Sequence, residues 1–173
     1  MVFTTPMTID DLNKHSAADI FSLLQKCCGA ESWVRGMIHA RPYQSVDHLV
    51  SLATDHWQAL STVDRLEAFK HHPRIGDLKT LSKKYHNTAN LASEEQSLTQ
   101  EASESVLEEL ADYNHRYVEK FGFIFIICAT GKSAAAMLKS LKDRIGNQRE
   151  QEIRIASEEQ IKITCLRLKK LIE

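Results

Sequence analysis

Apolar side chains recur along this chain at intervals of three and four residues, which is the spacing of one helix face. Serine or threonine precedes several of the apolar runs, where a side-chain oxygen caps a helix N-terminus. The predicted caps are Ser16, Ser45, Ser133, Asn147 and either Ser61 or Thr62, and Gly29 follows the first long run as a helix stop. The pattern predicts helices over 16–28, 31–40, 45–56, 61–72, 76–86, 93–120, 133–145 and 147–171.

The segment 122–129, GFIFIICA, is continuously apolar and rich in β-branched and aromatic residues. Its composition predicts an extended segment, but the rest of the chain offers no obvious strand to pair with it. We therefore predict an all-α, single-domain bundle of about eight helices with one buried extended segment at residues 122–129.

The same segment runs into ATGKS at 129–133, and a strand followed by Gly-Lys-Ser and a helix is the layout of a phosphate-binding P-loop. Such a loop needs a first glycine five residues before Gly131, so that backbone N–H groups can wrap a phosphate. That position holds Ile126, whose branched side chain does not allow the loop. The spacing therefore argues against a nucleotide site.

Two charged residues fall on the apolar stripes of predicted helices. Glu95 lies on the stripe of the helix over 93–120 that also carries Leu110 and Tyr117. It is either an exposed first-turn acid that favours the helix dipole or a functional carboxylate facing the core. Arg167 lies among Ile163 and its stripe neighbours in the last helix, either as a snorkelling surface arginine or as a fixed guanidinium that binds a ligand.

The last helix carries two apolar stripes on roughly opposite sides, which predicts that it is central or covered by another subunit. One stripe holds Ile153, Ala156, Ile163 and Leu171, and the other holds Ile155, Ile161, Cys165, Leu168 and Ile172.

His72 precedes Pro73 in the stretch FKHHPRIGDL, and a residue before proline is disfavoured in a helix. The sequence therefore places His72 in a defined turn at a helix end, either as an ordinary turn histidine or as a functional one. Adjacent histidines point in different directions, and no second pair of ligands at metal-binding spacing accompanies them.

Composition describes an ordinary globular chain of 173 residues, with 43% apolar and 26% charged residues and a net charge of −1. The near-neutral charge gives no general reason to expect nucleic acid or an anionic membrane as a partner. No apolar segment is long enough for a membrane helix, and the N-terminus does not have the pattern of a signal peptide. The four cysteines lack a C-x-x-C pair and are expected to be reduced thiols of a cytoplasmic protein.

Taken in order, the motifs of this chain resemble those of the 2-oxo-4-hydroxy-4-carboxy-5-ureidoimidazoline (OHCU) decarboxylases of urate breakdown. The matching motifs are RPY at 41–43, HHPRIG at 71–76, SEEQS at 93–97, the Asn-x-x-Tyr of 114–117, FGFIF at 121–125, GNQREQE at 146–152 and CLRL at 165–168. One departure is Ile124, where the family usually has proline, so the entry to the segment has a freer backbone here.

The resemblance implies an all-α homodimer that decarboxylates OHCU to (S)-allantoin without a metal or cofactor. Its catalytic residues fall on His72, Glu95 and Arg167. Its substrate contacts, besides Arg167, fall on Pro73, Ala92, Ser93, Glu94, Glu95, Gln96, Phe125, Ile126, Ile127, Cys128 and Ala129.

Two hypotheses from other classes compete with this one. The first is a helical protein-interaction module without catalysis, in which His72, Glu95 and Arg167 would be polar residues with no catalytic role. This hypothesis predicts that substituting His72 changes no enzymatic rate. A hydroxyisourate hydrolase would belong to the same pathway, but that family is β-rich, so a helical far-UV spectrum would exclude it.

Overall fold

A computed structural model describes residues 7–72 and 104–172. The eight helices in these ranges are α1 (Ile9–Lys14), α2 (Ala17–Cys27), α3 (Glu31–His39), α4 (Val46–Gln58), α5 (Thr62–Lys70), α6 (Glu104–Phe121), α7 (Ala134–Arg144) and α8 (Arg149–Ile172). No described residue lies in a strand, which confirms the all-α class. The helix predicted at 76–86 and the first part of the one predicted at 93–120 lie outside the described residues.

Local capping chemistry starts four of these helices where the sequence predicts. Ser16, Ser45, Ser61 and Ser133 each accept a hydrogen bond from the backbone N–H three residues further on. At α5 the interaction is reciprocal, because the Asp64 carboxylate also accepts from the Ser61 N–H. These bonds satisfy backbone donors that the first helical turn leaves unpaired.

The chain divides into two compact units, Met1–His71 with Ser157–Glu173, and His72–Ala156. The boundary between them falls within α8. The single domain over residues 1–173 that the sequence predicts stays a prediction.

Tryptophans organise the core of the first unit. Trp33 of α3 is fully buried and donates its indole N–H to the Ala53 carbonyl of α4 at 3.0 Å. Trp57 of α4 does the same to the Ser157 carbonyl of α8 at 3.0 Å. Each ring thus adds a large apolar area to the core while its one polar atom is satisfied.

In the second unit, aromatic rings join α6 to the segment that follows it. Tyr117 and Phe121 of α6 lie with ring centroids 4.6 Å apart, and Tyr117 also meets Phe123 and Phe125 edge-on at 5.8 and 5.2 Å. Segment 122–129 has no regular secondary structure. Within it Phe123 and Ile126 are buried, the glycine at its start is exposed, and the other residues are half-buried.

The buried face of α8 differs from the predicted one. Ala156, Gln160, Thr164 and Leu168 are fully buried, whereas Ile163 and its apolar neighbours Leu171, Ile155, Ile161, Cys165 and Ile172 are only half-buried. Ile153 and Ala156 of one predicted stripe and Leu168 of the other are buried, so neither stripe alone is the buried face. Apolar residues are spread around this helix, and their spacing alone does not choose between its sides. The helix also begins at Arg149 rather than at an Asn147 cap, since the Asn147 amide donates instead to Glu152.

None of the helices in the described ranges is long and apolar enough to cross a membrane.

Candidate active site

The described residues include three parts of the predicted site: His72, Arg167 and the segment Phe125–Ala129. Pro73 and the five residues Ala92, Ser93, Glu94, Glu95 and Gln96 lie outside the described residues. His72 belongs to the same compact unit as Phe125–Ala129, and Arg167 belongs to the other.

His72 is half-buried two residues beyond the end of α5. The helix closes at His71, whose N–H donates to the carbonyl of Ala68. The other end of α5 is fixed to α3, because Asp64 accepts a 2.9 Å hydrogen bond from the hydroxyl of Ser32. The bonds from Ser61 and Ser32 lower the pKa of Asp64, so this anchor is a carboxylate at neutral pH.

Gly29, after α2, is required by close packing rather than by a helix-stopping conformation. Its backbone is not in the left-handed region, and the residue that ends α2 is Cys28, in an extended conformation. A Cβ at Gly29 would lie 2.2 Å from Cγ and 2.4 Å from Cβ of His71. His71 therefore rests directly on the Gly29 backbone, and it is covalently joined to His72.

Gly29→Ala is expected to destabilise the protein by about 1–3 kcal/mol, because the added methyl overlaps His71. Second-site changes make the test specific. Gly29→Ala with His71→Ala keeps the clash, since the His71 Cβ remains, whereas Gly29→Ala with His71→Gly removes it. Urea unfolding of wild type and the three variants measures this, and equal stability of the two double variants would contradict the packing explanation.

Arg167 is half-buried and fixed by the C-terminal end of α2. Its Nη1 donates to the carbonyls of Lys26 and Cys27, each at 3.3 Å. Carbonyls in the last turn of a helix have no partner within the helix and carry a partial negative charge, so the cation stabilises the end of α2. Its Nε and Nη2 make no hydrogen bond within the described part of the chain.

The thiols beside Arg167 are not activated. Burial raises the pKa of Cys27 to about 11 and that of Cys28 to about 12, against the smaller lowering effect of Arg167. Both are therefore protonated at neutral pH, and neither is a thiolate nucleophile. Thr164, one turn before Arg167 on α8, donates to the Cys27 carbonyl at 3.4 Å and completes this polar contact between α8 and α2.

Segment Phe125–Ala129 lies between two glycines with left-handed backbone, Gly122 at φ 76° and Gly131 at φ 73°. Three of its carbonyls are occupied. The Ile126 carbonyl accepts from Arg144 Nη1 at 2.8 Å, that of Cys128 from Lys132 Nζ at 2.9 Å, and that of Ala129 from the Lys132 N–H at 3.0 Å. The carbonyls of Phe125 and Ile127 have no such partner among the described residues.

The Gly-Lys-Ser triplet therefore has a structural use. Ser133 caps α7 by accepting from the Ala136 N–H, and Lys132 closes the turn before it. The lysine ammonium donates to the Cys128 carbonyl four residues before it.

Sequence reasoning missed Arg144 and Glu152, which hold this segment. A signal was present, because Met137, Leu141 and Arg144 are spaced for one helix face and the first two are buried. Glu152 directly precedes Ile153 of a predicted apolar stripe. Among the described residues, no three His, Cys, Asp or Glu side chains group as metal ligands.

Comparison with known proteins identifies the family to which this chain is similar. Residues 13–169 match the model of the family described as OHCU decarboxylase. The chain is 40% identical over 146 residues to the uric acid degradation bifunctional protein TTL of Arabidopsis thaliana, covering 84% of this chain but only 45% of that protein. It is 25% identical over 170 residues to the 2-oxo-4-hydroxy-4-carboxy-5-ureidoimidazoline decarboxylase of Halalkalicoccus jeotgali, covering 96% of this chain and 93% of the relative.

A solved structure supports the same family as these two sequence relatives. The crystal structure of an OHCU decarboxylase in the presence of (S)-allantoin superposes with a TM-score of 0.70 at 38% sequence identity, covering 86% of this chain and 95% of that one.

Proposed function

The chain belongs to the OHCU decarboxylase family, and from this premise we propose that it converts OHCU to (S)-allantoin and CO₂ in the breakdown of uric acid. The observation that carries the proposal is the match to a solved OHCU decarboxylase over nearly the whole of that chain. That relative was crystallised in the presence of (S)-allantoin, which is the product we propose here.

The proposed reaction needs no external electron sink. The bond between C4 and its carboxylate breaks, CO₂ leaves, and the electron pair forms a double bond to C5 while the ring C=N pair moves to nitrogen, which takes a proton. The 4-hydroxyl then loses its proton to become a carbonyl, and C5 gains a proton on one face. The protein must orient the carboxylate, stabilise developing charge and control which face of C5 is protonated.

His72 is the residue we assign to proton movement at the hydroxyl and carboxylate. His72 is half-buried and lies just beyond α5, and its family motif supports this role. We assign Glu95 to the ureido or ring N–H groups, because a carboxylate accepts paired N–H donors well.

Arg167 and the backbone of Phe125–Ala129 are assigned to the ring oxygens and N–H groups. The two donors of Arg167 that are not bonded to α2 support this role, since a guanidinium presents them in a fixed plane. The carbonyls of Phe125 and Ile127, which have no partner among the described residues, support a backbone contact with a flat, polar heterocycle.

We also propose that the protein acts in the cytoplasm as a homodimer without metal or cofactor, as the family resemblance implies. The free thiols of Cys27, Cys28, Cys128 and Cys165 are compatible with a reducing compartment.

The function is tested by generating OHCU from urate in situ and following the optical activity of the allantoin formed. Spontaneous decay yields a racemate, so the proposed enzyme should produce a circular dichroism signal of a single hand at a rate proportional to its concentration. Lys170→Ala, an exposed change on α8, is a control that should behave as wild type. Racemic product at the uncatalysed rate would refute the proposal and favour a non-catalytic helical module.

A further inference from the structure

A buried ionic network lies directly behind the Phe125–Ala129 segment. Glu152 is 0% exposed, and its Oε1 accepts from the Tyr117 hydroxyl at 2.5 Å and from Arg144 Nε at 2.7 Å. Its Oε2 accepts from the Asn147 amide at 2.9 Å. Burial and the bond to Glu152 raise the pKa of Tyr117, so the phenol stays protonated and acts as a donor.

Arg144 connects this network to the segment in two ways. Its Nη1 donates to the Ile126 carbonyl at 2.8 Å, and its guanidinium carbon lies 4.4 Å from the centroid of the Phe125 ring. One planar cation thus fixes a peptide group and the side chain of the preceding residue. Glu152 in turn fixes the plane of that guanidinium.

Stability alone is a weak explanation for such a pair. Removing two charges from water is costly, and apolar residues of similar volume often replace a buried ion pair without loss of stability. What apolar side chains do not provide is a directed hydrogen bond to the Ile126 carbonyl. The charged pair therefore contributes something that apolar residues would not, which is to fix the position of the segment through this hydrogen bond.

We propose that Arg144 and Glu152 are positioning residues that hold the Phe125–Ala129 backbone in the orientation that binds substrate. This inference rests on the proposed function, which assigns substrate contacts to that backbone. Neither residue needs to touch the substrate. Arg144 acts through Ile126 and Phe125, and Glu152 acts through Arg144.

The deciding variant is the double change Arg144→Met with Glu152→Leu, which removes both charges together and leaves no unpaired buried ion. We expect it to remain folded with a melting temperature several degrees below wild type, because the buried Tyr117 hydroxyl and the Ile126 carbonyl lose their partners. We expect kcat/KM for OHCU to fall by about 10- to 100-fold, mainly through a higher KM, because a shift of about 1 Å in a binding group has effects of this size. Lys139→Ala is the matched control, since it removes an exposed ion pair with Asp143 on the same helix.

Hydrogen exchange gives a second measurement that does not depend on activity. Exchange over residues 122–133 includes the Lys132 amide, which closes the turn after the segment. It should speed up in the double variant, while exchange over 106–114 of α6 should not change. A folded double variant with wild-type KM and wild-type exchange would overturn the inference.

Arg144→Lys keeps the test decisive if the double variant does not fold. A lysine preserves a charge opposite Glu152 but cannot bond that carboxylate and the Ile126 carbonyl with separate nitrogens of one plane. It should show the same rise in KM and the same faster exchange, and wild-type values of both would overturn the inference. If wild type itself yields only racemic allantoin, the proposed function fails, and the exchange data alone decide whether the network positions the segment.

Discussion

Replacing His72 by asparagine is expected to lower kcat/KM for OHCU by roughly 100-fold or more while the protein stays folded. Asparagine is similar in shape and keeps hydrogen-bonding capacity, but it does not exchange protons near neutral pH. His72 is only half-buried and lies outside any helix, so the change removes little core packing. The rate of (S)-allantoin formation and the thermal unfolding curve are the two measurements.

His71→Ala is the matched control for this variant. It removes the neighbouring imidazole, which is exposed, but keeps the Cβ that rests on Gly29. Its kcat/KM should stay within a few-fold of wild type. Equal losses in the two variants would mean that His72 is not the catalytic histidine and that the turn as a whole is sensitive.

Arg167→Met has the second largest expected effect, a fall in kcat/KM of about 10- to 100-fold, because a hydrogen bond from a charged donor contributes about 1.5–3 kcal/mol. The same change removes the bonds to the carbonyls of Lys26 and Cys27, so unfolding free energy should fall by about 0.5–1.5 kcal/mol. Activity assays and urea unfolding separate the two roles. A loss of stability with unchanged kcat/KM would mean that Arg167 only stabilises the C-terminal end of α2 and does not bind the substrate.

Arg167→Lys refines the result. The single ammonium cannot both stabilise the end of α2 and present a planar pair of donors to a ligand. It should therefore recover most of the stability and little of the activity. If Glu95 contacts a separate part of the substrate, Glu95→Gln combined with Arg167→Met should give nearly additive losses in a double-mutant cycle.

Local chemistry explains why most of the described helices could be predicted from sequence, although α1, which Thr8 caps, was not predicted. A serine cap bonds a backbone N–H only three residues away, so Ser16, Ser45, Ser61 and Ser133 fix four helix starts without information from the rest of the fold. The observed ends differ from the predicted ones by a residue or two, because the last turn depends on what packs against it. The class and the family follow from patterns and motifs of this short range.

The sequence predicted which residues belong to the candidate site better than it predicted how they are arranged. His72 and Arg167 were singled out by a proline and by an apolar stripe, both readable from neighbours in sequence. The structure adds that Arg167 is fixed on α2, from which it is separated by about 140 residues. The convergence of Glu95 with His72 and Arg167 stays a prediction, because Glu95 lies outside the described residues.

The sequence by itself determined most of the described helices, four serine caps and the interruption of the helices at 122–129, since each depends on residues within a few positions of one another. Only the tertiary structure decided which side of α8 is buried, why residue 29 is glycine and what Arg144 does. Which side of α8 is buried depends on packing against α4, where Trp57 donates to the Ser157 carbonyl. Residue 29 must be glycine because His71, just after α5, packs against its backbone. The role of Arg144 depends on the Glu152 carboxylate of α8 and the Ile126 carbonyl of the segment, which the fold brings next to it. Contacts of this kind produce no periodic pattern in the sequence.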